Sequence, residues 1–200
     1  MEPFEAEVRT RGFRVIAGLD EAGRGPLAGP VVAAAVVLPP KGKWTGVDDS
    51  KKLSPAQREK IFPFLYEKAL GVGVGIVEAK EIDRLNILQA SLKAMQMAVE
   101  KLPLPPDFLL IDGIQALRSS LPQQTIPKGD QRCLSIAAAS IVAKVTRDRL
   151  MTAYHDQYPE YNFARHKGYG TKEHLQALRK YGCCPLHRQS FRTIYQLSLL

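Results

Sequence analysis

The segment from Gly18 to Pro30 constrains this chain more than any other, because it sets two adjacent acidic residues between two apolar runs. Residues 15–17 lead into Asp20 and Glu21, and a glycine-rich turn then leads into a second run at 31–38. Apolar runs bounded by Gly and Pro are typical of β-strands joined by a tight connection. A carboxylate at the end of a buried strand is costly unless it is paired, hydrogen-bonded or bound to a metal. The segment therefore predicts either a solvated turn or a metal site beside an anion-binding turn. No Gly-Lys-Ser/Thr closes it, which excludes a P-loop.

Length and charge narrow the class of partner. The chain has 200 residues, enough for one domain with a substantial core, and it carries a net charge of +8 with a pI near 9.5. An excess of Lys and Arg favours a polyanionic partner, and nucleic acid is favoured over a membrane because no long basic amphipathic helix is evident. We expect no membrane span and, since Glu2, Glu5 and Glu7 lie at the N-terminus, no signal peptide.

The cysteines favour a reducing, cytoplasmic location. There are three, Cys133, Cys183 and Cys184, and an odd number with two adjacent members argues against a disulfide framework. A zinc site built from Cys183, Cys184 and His187 is a weak alternative, because the usual ligand spacing and a second ligand pair are absent. We assign no role to the Cys183-Cys184 pair.

Apolar periodicity predicts strands interleaved with helices. Strands are expected at about 14–19, 31–38, 71–77, 108–111 and 124–126, and helices from 54, over 86–102, over about 134–158 and up to about 181. Ser54 is the expected N-cap of the first of these helices, with Gln57 completing a capping box, and Pro63 is expected to end or kink it. Adjacent strands early in the chain indicate an α/β mixed sheet, after a short, partly ordered lead-in at 1–13.

Two further acidic residues stand at the ends of predicted elements. Asp112 follows the strand at 108–111 and precedes Gly113, a pattern that on its own is more typical of a turn. Asp130 follows Lys128-Gly129 and caps or approaches the N-terminus of the long helix, where the helix dipole favours an anion. The basic pair Lys51-Lys52 is either solvated or in contact with phosphates.

The four acids Asp20, Glu21, Asp112 and Asp130 together suggest a chemistry. Carboxylates without His or Cys partners suit hard divalent ions such as Mg²⁺ or Mn²⁺. Two such ions can activate water and stabilise the leaving oxygen in phosphodiester hydrolysis. A basic protein with an acidic metal centre is therefore typical of a nuclease. Because neighbouring strand residues face opposite sides, Asp20 and Glu21 both serve only if the strand end twists or bulges, or if one acts through water.

Seven motifs, in order over nearly the whole chain, closely resemble those of bacterial ribonuclease HII. They are residues 18–31, 49–54, 111–113, 128–130, 135–148, 166–171 and 187–191. The resemblance implies an RNase H-like mixed β-sheet flanked by helices, with a small helical C-terminal part. It places the whole chain, 1–200, in one domain with a core over about 1–158 and a substrate-contacting part over about 159–200.

The resemblance also implies the activity and its residues. The family cuts the RNA strand of RNA–DNA hybrids and incises duplex DNA 5′ of embedded ribonucleotides, with Mn²⁺ or Mg²⁺ as cofactor. Asp20, Glu21, Asp112 and Asp130 match its metal-binding carboxylates, and Gly23-Arg24-Gly25 matches the loop that reads the ribose 2′-OH. Tyr169 matches the aromatic that stacks on the sugar after the ribo-to-deoxyribo junction. Ser50 and Lys51 look like phosphate contacts, which position a strand without reading its sequence.

Other interpretations remain beside this one. Asp148 also lies in a family motif, but we interpret it as structural and paired with Arg147 or Arg149 on a charged outer face of the long helix. Ribonuclease HIII has a different glycine loop and an added N-terminal domain, so Arg24 and the short lead-in disfavour it. A junction resolvase leaves the glycine loop and Tyr169 without a task, and a non-catalytic nucleic-acid binder leaves the acids unexplained. We expect a monomer, with the C-terminal residues 195–200 packed or frayed.

Overall fold

A five-stranded mixed β-sheet forms the centre of the molecule in the computed structural model, which describes residues 3–197. The strands are β1 (Ile16–Ala22), β2 (Val31–Val37), β3 (Gly71–Val77), β4 (Phe108–Asp112) and β5 (Gln123–Ile126). Their order is β3-β2-β1-β4-β5. The first three strands pair antiparallel, while β4 and β5 run parallel to β1. The expected mixed sheet is confirmed.

Nine helices of the described residues flank this sheet or follow it. They are α1 (Phe4–Thr10), α2 (Pro55–Lys68), α3 (Ala79–Leu85), α4 (Ile87–Glu100), α5 (Gly129–Arg132), α6 (Leu134–Gln157), α7 (Phe163–His166), α8 (Lys172–Tyr181) and α9 (Arg192–Leu197), with a 3₁₀ turn at Pro159–Tyr161. None of them is long and apolar enough to cross a bilayer. The prediction that residues 195–200 are packed or frayed falls partly outside the described residues, since only 195–197 lie within α9.

Small residues let two helices approach the sheet closely from opposite faces. On one face α6 packs its buried alanines against the sheet, and a Cβ on Gly18 would overlap the backbone of Ser135. On the other face lies α4, where Cβ atoms on Gly73 and Gly75 would overlap the carbonyl oxygens of Ala98 and Ala94. The sheet is therefore buried on both sides, and only the ends of its strands remain open for a site.

Helix α2 differs from its prediction at one residue. Ser54 forms the expected capping box, with its Oγ accepting from the N–H of Gln57 and its own N–H donating to Gln57 Oε1 at 2.7 Å. The predicted end of the helix at Pro63 is wrong, since the helix continues to Lys68, and the alternative that Pro63 kinks it stays a prediction. Because Pro63 lies on the exposed side, water can satisfy the carbonyl that loses its donor, while the buried Leu65 anchors the following turn.

The N-terminal segment is more ordered than the sequence predicts. Residues 4–10 form α1, and Glu5 Oε1 accepts from the backbone N–H of Ser135 at 2.8 Å. Glu5 therefore caps the N-terminus of α6, the role that the sequence assigned to Asp130. Asp130 lies instead in the separate short helix α5. This cap comes from a residue far away in the chain, which is why local sequence patterns do not reveal it.

Replacing Glu5 by Ala should destabilise the protein by about 1–2 kcal/mol, because it leaves the N–H of Ser135 without its charged acceptor. Urea unfolding measures the change. Glu7→Ala is the matched control, since Glu7 lies on the same helix with its side chain exposed. Equal losses in the two variants would contradict a capping role for Glu5.

Candidate active site

Parallel pairing brings the carboxylates of Asp20 and Asp112 to the same end of two neighbouring strands. In the β1–β4 ladder Leu19 lies opposite Ile111, so the next residue on each strand is acidic. Asp20 is 5% exposed, and its Oδ1 accepts from the N–H of Glu21 at 2.7 Å. Two acids distant in sequence thus become neighbours at one edge of the sheet.

Glu21 approaches the same region from the other face of β1. Its side chain is 10% exposed and accepts a hydrogen bond from Arg24 Nη1 at 3.2 Å. The strand ends at Ala22, and the chain turns at Gly23 with a φ of +98°. Because the strand stops here, Asp20 and Glu21 border one cleft although they alternate along β1.

Asp130 reaches these acids from α5. Gly129, the first residue of that helix, donates its N–H to Asp112 Oδ1 at 2.7 Å and so ties α5 to the end of β4. The side chain of Asp130 is 3% exposed, and its Oδ2 accepts from Lys51 Nζ at 2.6 Å. The Lys51 ammonium therefore supplies positive charge beside the carboxylate.

Burial and mutual repulsion raise the pKa values of three of these acids. For Asp20, burial is the largest cause, followed by the charges of Glu21 and Asp112, and together they hold its pKa well above the usual range. Burial also raises the pKa of Glu21 against the opposing charge of Arg24. It raises the pKa of Asp112 against the hydrogen bond from Gly129. Such a group of buried acids is favourable to a bound cation.

Nine of the ten site residues expected from the sequence line one cleft of about 290 Å³, which we call the α6-side cleft. They are Asp20, Glu21, Gly23, Arg24, Gly25, Ser50, Lys51, Asp112 and Tyr169. The tenth, Asp130, contacts the cleft through Lys51. Three further polar residues line it that the sequence analysis did not select: Arg58, Ser140 and Lys144.

Ser50 and Lys51 are held in place by hydrogen bonds beneath the cleft. Ser140 Oγ donates to Ser50 Oγ at 2.6 Å, and Arg58 Nη1 donates to the carbonyl of Ser50 at 2.6 Å. The N–H of Lys51 donates to Asp49 Oδ1 at 2.9 Å. The side chain of Lys51 is 76% exposed, so the loop presents its ammonium, paired with Asp130, at the surface above a backbone held by hydrogen bonds.

The donor set of the four acids has the chemistry that a hard divalent ion requires, namely carboxylate oxygens in a buried, cation-favouring place. Among residues 3–197, however, no three His, Cys, Asp or Glu side chains already form a metal-binding group. Here the acids are held by Lys51, Arg24 and backbone amides. The side chains are therefore of the type that binds a divalent ion, and binding one requires the contacts with Lys51, Arg24 and the backbone amides to rearrange.

Two buried arginines hold the loop from Gly23 to Pro30, which contains the expected 2′-OH reader. Arg188 is fully buried and donates to the carbonyls of Gly23 at 2.6 Å, Arg24 at 3.0 Å and Gly29 at 3.0 Å. Arg147 is 1% exposed and donates to the carbonyls of Pro30 at 2.9 Å, Ala28 at 3.1 Å and Lys167 at 3.0 Å. The bonds reach both ends of the loop and restrict its shape.

Both arginines depart from what the sequence suggested. The helical pattern predicts Arg147 on a charged outer face of α6, and no local pattern predicts a role for Arg188. Burial, reinforced by the neighbouring Arg147, lowers the pKa of Arg188 to about 9, and burial lowers that of Arg147 to about 10, so both stay charged at neutral pH. A Cβ on Gly23 would overlap the side chain of Arg147, which explains the glycine at this position.

The pairing expected for Asp148 is wrong in its partners. Asp148 Oδ1 accepts from Lys144 Nζ at 2.7 Å, whereas Arg149 pairs with Glu59 and Arg147 is buried under the glycine loop. The prediction failed because Arg147 is buried against the carbonyls of the glycine loop, while Lys144, one turn before Asp148 on α6, pairs with it.

The C-terminal part contacts the glycine loop directly. The N–H of Leu27 donates to the carbonyl of Gly168 at 2.8 Å, and that of Gly29 donates to Leu186 at 2.8 Å. Gly25 lies beside Tyr169: a Cβ there would be 3.8 Å from Cε1 of the ring. The 45% exposed tyrosine is therefore positioned next to the loop by the chain that follows α6.

A chain of neutral histidines supports Tyr169 from within. The N–H of Cys184 donates to His187 Nδ1 at 2.9 Å, the two Nε2 atoms of His187 and His174 lie 3.0 Å apart, and His174 Nδ1 lies 2.9 Å from the carbonyl of Tyr169. Since a carbonyl only accepts, His174 donates from Nδ1 and accepts at Nε2 from His187. Burial lowers the pKa of each of these two histidines to about 4.

Acid should therefore weaken the C-terminal part. A histidine whose pKa is lower in the folded state contributes stability that is complete above its unfolded value of 6.5 and is lost as the pH falls toward 4. We expect the free energy of unfolding to fall by about 2 kcal/mol for each histidine between about pH 7.5 and pH 4.5.

Urea unfolding of wild type and His187→Asn tests this, because the acidic residues contribute equally to the pH dependence of both proteins. The variant should be less stable near pH 7.5, and the gap should narrow toward pH 4.5; a constant gap would contradict it.

Comparisons with known proteins agree with this geometry. The family model described as Ribonuclease HII matches residues 17–194. The ribonuclease HII of Geobacter metallireducens is 58% identical over 191 residues, covering 96% of this chain and 90% of the relative. The crystal structure of ribonuclease H2 from Pyrococcus horikoshii superposes with a TM-score of 0.79 at 28% identity, covering 93% of this chain and 98% of that one.

A more distant structure supports the fold alone. Bst-RNase HIII, solved in complex with Mn²⁺, has a TM-score of 0.68 at 18% identity, over 92% of this chain and 69% of its own. The resemblance in the sequence motifs is thus confirmed by the family match, by close relatives and by the fold. The chain belongs to the ribonuclease HII family.

Proposed function

We propose that this member of the ribonuclease HII family, a nuclease that hydrolyses the RNA strand of RNA–DNA hybrids, also incises duplex DNA on the 5′ side of single embedded ribonucleotides and so initiates their removal. The observation that carries the proposal is that the glycine loop and Tyr169 lie side by side on the lining of the cleft that holds Asp20, Glu21 and Asp112. A general hybrid nuclease needs no reader for one sugar, whereas the glycine loop here, with carbonyls held by Arg147 and Arg188, would serve as one.

Asp20, Glu21, Asp112 and Asp130 would hold divalent ions, Mn²⁺ or Mg²⁺, in this site. Two bound ions would supply a water nucleophile and charge stabilisation at the leaving oxygen. The raised pKa values of Asp20, Glu21 and Asp112 support this assignment, since burial and repulsion leave these acids short of positive charge. Lys51, already beside Asp130, balances the negative charge of the cluster.

The glycine loop would recognise the ribose through its backbone. A 2′-OH both donates and accepts hydrogen bonds and is the single group that distinguishes RNA from DNA at one residue. Gly23 and Gly25 present main chain without side chains, so a sugar can approach closely. Arg147 and Arg188 hold the carbonyls of this loop from below, which favours one loop shape. Tyr169 would stack on the next sugar, where its ring leaves little room for a 2′ substituent.

Ser50 and Lys51 would contact the phosphates of the bound strand. The exposed ammonium of Lys51 can reach a phosphate, and the hydroxyl of Ser50 lies at the floor of the same cleft. Their contacts position the strand and carry no sequence information. We further propose that the enzyme acts as a cytoplasmic monomer with no membrane partner; its free thiols at Cys133, Cys183 and Cys184 suit a reducing compartment.

A duplex with one ribonucleotide and an all-DNA duplex of the same sequence test the proposal, each incubated with Mg²⁺, Mn²⁺ or chelator. We expect a metal-dependent cut on the 5′ side of the ribonucleotide and no cut in the all-DNA duplex. Equal cleavage of both duplexes would favour the rival interpretation, a junction-type nuclease. Binding without cleavage under any metal would favour the non-catalytic binder.

A further inference from the structure

A second cleft, on the α4 face of the sheet, meets the acidic cluster from the opposite side. Its volume is about 400 Å³, and we call it the α4-side cleft. It shares Glu21, Arg24 and Asp112 with the α6-side cleft. Its remaining lining includes Ser91 from α4, Gly113 and Ile114 after β4, and Lys128 before α5. The acids therefore stand at a boundary between two clefts rather than at the bottom of one.

We propose that the α4-side cleft is the subsite for the nucleotide immediately 5′ of the cleaved bond, with its base against Ile114 and its 5′ phosphate near Lys128. The proposal rests on the proposed function for strand direction: if Tyr169 in the α6-side cleft contacts the sugar after the ribonucleotide, the strand that crosses the acids continues in its 5′ direction into the α4-side cleft. A strand cut at the acids needs a neighbour on each side, and these two clefts adjoin them.

The rim of the cleft carries an apolar side chain that folding leaves in water. Ile114 is 73% exposed, more than any other large hydrophobic residue among those described, and it follows the strand-end acid Asp112 by two residues. Gly113 between them has a φ of +90° and open space around it, so the turn projects the next residue outward. Because this isoleucine lines a cleft that also contains Glu21 and Asp112, it offers an apolar surface for a base of the bound strand.

The charges at the same rim suit a phosphate. Lys128 is exposed and lies on the lining, in a left-handed turn with a φ of 56° just before α5. Arg24 borders the cleft on its other side. Two cations around an apolar wall complement a nucleotide, which combines an anionic phosphate with an apolar base face.

A buried hydroxyl under the cleft points to a polar occupant. Ser91, on α4, is 2% exposed, and its Oγ has no hydrogen-bond partner within residues 3–197. An unpartnered buried hydroxyl is destabilising unless something satisfies it. Because Ser91 lines the α4-side cleft, a sugar or base oxygen of the occupant, directly or through water, is a suitable partner.

The test removes the proposed contact from the substrate and from the enzyme in turn. Wild type and Ile114→Ala are compared on a duplex with one ribonucleotide and on the same duplex with an abasic nucleotide immediately 5′ of it. We expect the abasic site to lower kcat/KM of wild type about fivefold, and Ile114→Ala to lose about as much on the intact duplex but nothing further on the abasic one. Leu70→Ala is the matched control, because Leu70 is 50% exposed and hydrogen-bonded to Val37 at the opposite end of the sheet.

Lys128 and Ser91 give independent measurements. Lys128→Ala should lower kcat/KM about threefold to tenfold and reduce the salt dependence of substrate binding. Replacing the adjacent 5′ phosphate of the substrate by a neutral methylphosphonate should then cause no further loss in this variant. Lys101→Ala is its control, because Lys101 lies beyond the end of α4. Ser91→Ala should raise the stability of the free protein while lowering kcat/KM, whereas a structural serine would lower stability.

The subsite proposal is overturned if wild type ignores the abasic nucleotide, or if Ile114→Ala loses equally on both duplexes or matches wild type on the intact one. Failure of wild type to cut any single-ribonucleotide duplex would instead overturn the proposed function. In that case the subsite is tested on an RNA–DNA hybrid that can be cut at one position and carries the abasic nucleotide immediately 5′ of it. Wild type and Ile114→Ala are compared on this hybrid and on the same hybrid without the abasic nucleotide.

Discussion

Asp112→Asn should abolish cleavage, with kcat lower by about 10³-fold or more, while the metal-free protein becomes more stable than wild type. The loss of activity follows because the charge that would hold a divalent ion at the junction of β1 and β4 is gone. The gain in stability follows because Asp112 helps to raise the pKa of Asp20 by repulsion. The asparagine Oδ1 can still accept the hydrogen bond from Gly129.

Two measurements on one preparation test this pair of effects. Cleavage of an RNA–DNA hybrid is followed with Mn²⁺, and the melting temperature is measured with chelator and with Mn²⁺. Wild type should gain stability from Mn²⁺, and Asp112→Asn should gain less. Asp156→Asn is the control, since Asp156 is an exposed acid on α6. A variant that melts earlier than wild type in chelator would mean that Asp112 is needed for folding, and retained cleavage would remove it from the active site.

Arg188→Lys should destabilise the protein by about 2–4 kcal/mol and reduce its preference for a ribonucleotide over a deoxyribonucleotide by about tenfold or more. Lysine keeps the charge but has no planar fork, so it cannot serve the carbonyls of Gly23, Arg24 and Gly29 together. At least one buried carbonyl is then left without a donor. The glycine loop would then gain freedom, and as the proposed reader of the ribose it would distinguish one hydroxyl poorly.

The ratio of cleavage rates for ribose and 2′-deoxyribose at one position separates a positioning role from a purely structural one. It is measured well below the melting temperature, where the folded fraction of each variant is the same. Arg192→Lys is the matched control, because Arg192 is exposed at the start of α9. A destabilised Arg188→Lys that keeps the wild-type ratio would show that Arg188 supports the fold alone.

Much of the fold was predictable because its signals are local. The apolar runs that became β1 to β5, the capping box at Ser54 and the small residues of α6 each act through neighbours a few positions away. The acids were recognisable for the same reason: Asp20, Glu21 and Asp112 end buried strands, where charges are costly without a purpose.

The remaining features depend on contacts between distant parts of the chain. Glu5 caps α6 from the N-terminus, and Pro63 is tolerated because its side of α2 faces solvent. Lys51 meets Asp130 only after the sheet has brought α5 beside the loop that precedes α2.

The buried arginines show the limit of sequence reasoning most directly. A Lys or Arg in a helix is usually solvated, so local pattern places Arg147 on the surface. The tertiary structure buries it with Arg188 because the carbonyls of the glycine loop are themselves buried and need donors. Sequence alone determined the strands of the sheet, the four longer helices α2, α4, α6 and α8, and the acids at the strand ends. Only the tertiary structure decided how those acids meet, which cations compensate them and what holds the loop beside them, because each depends on desolvation by residues far away in the chain.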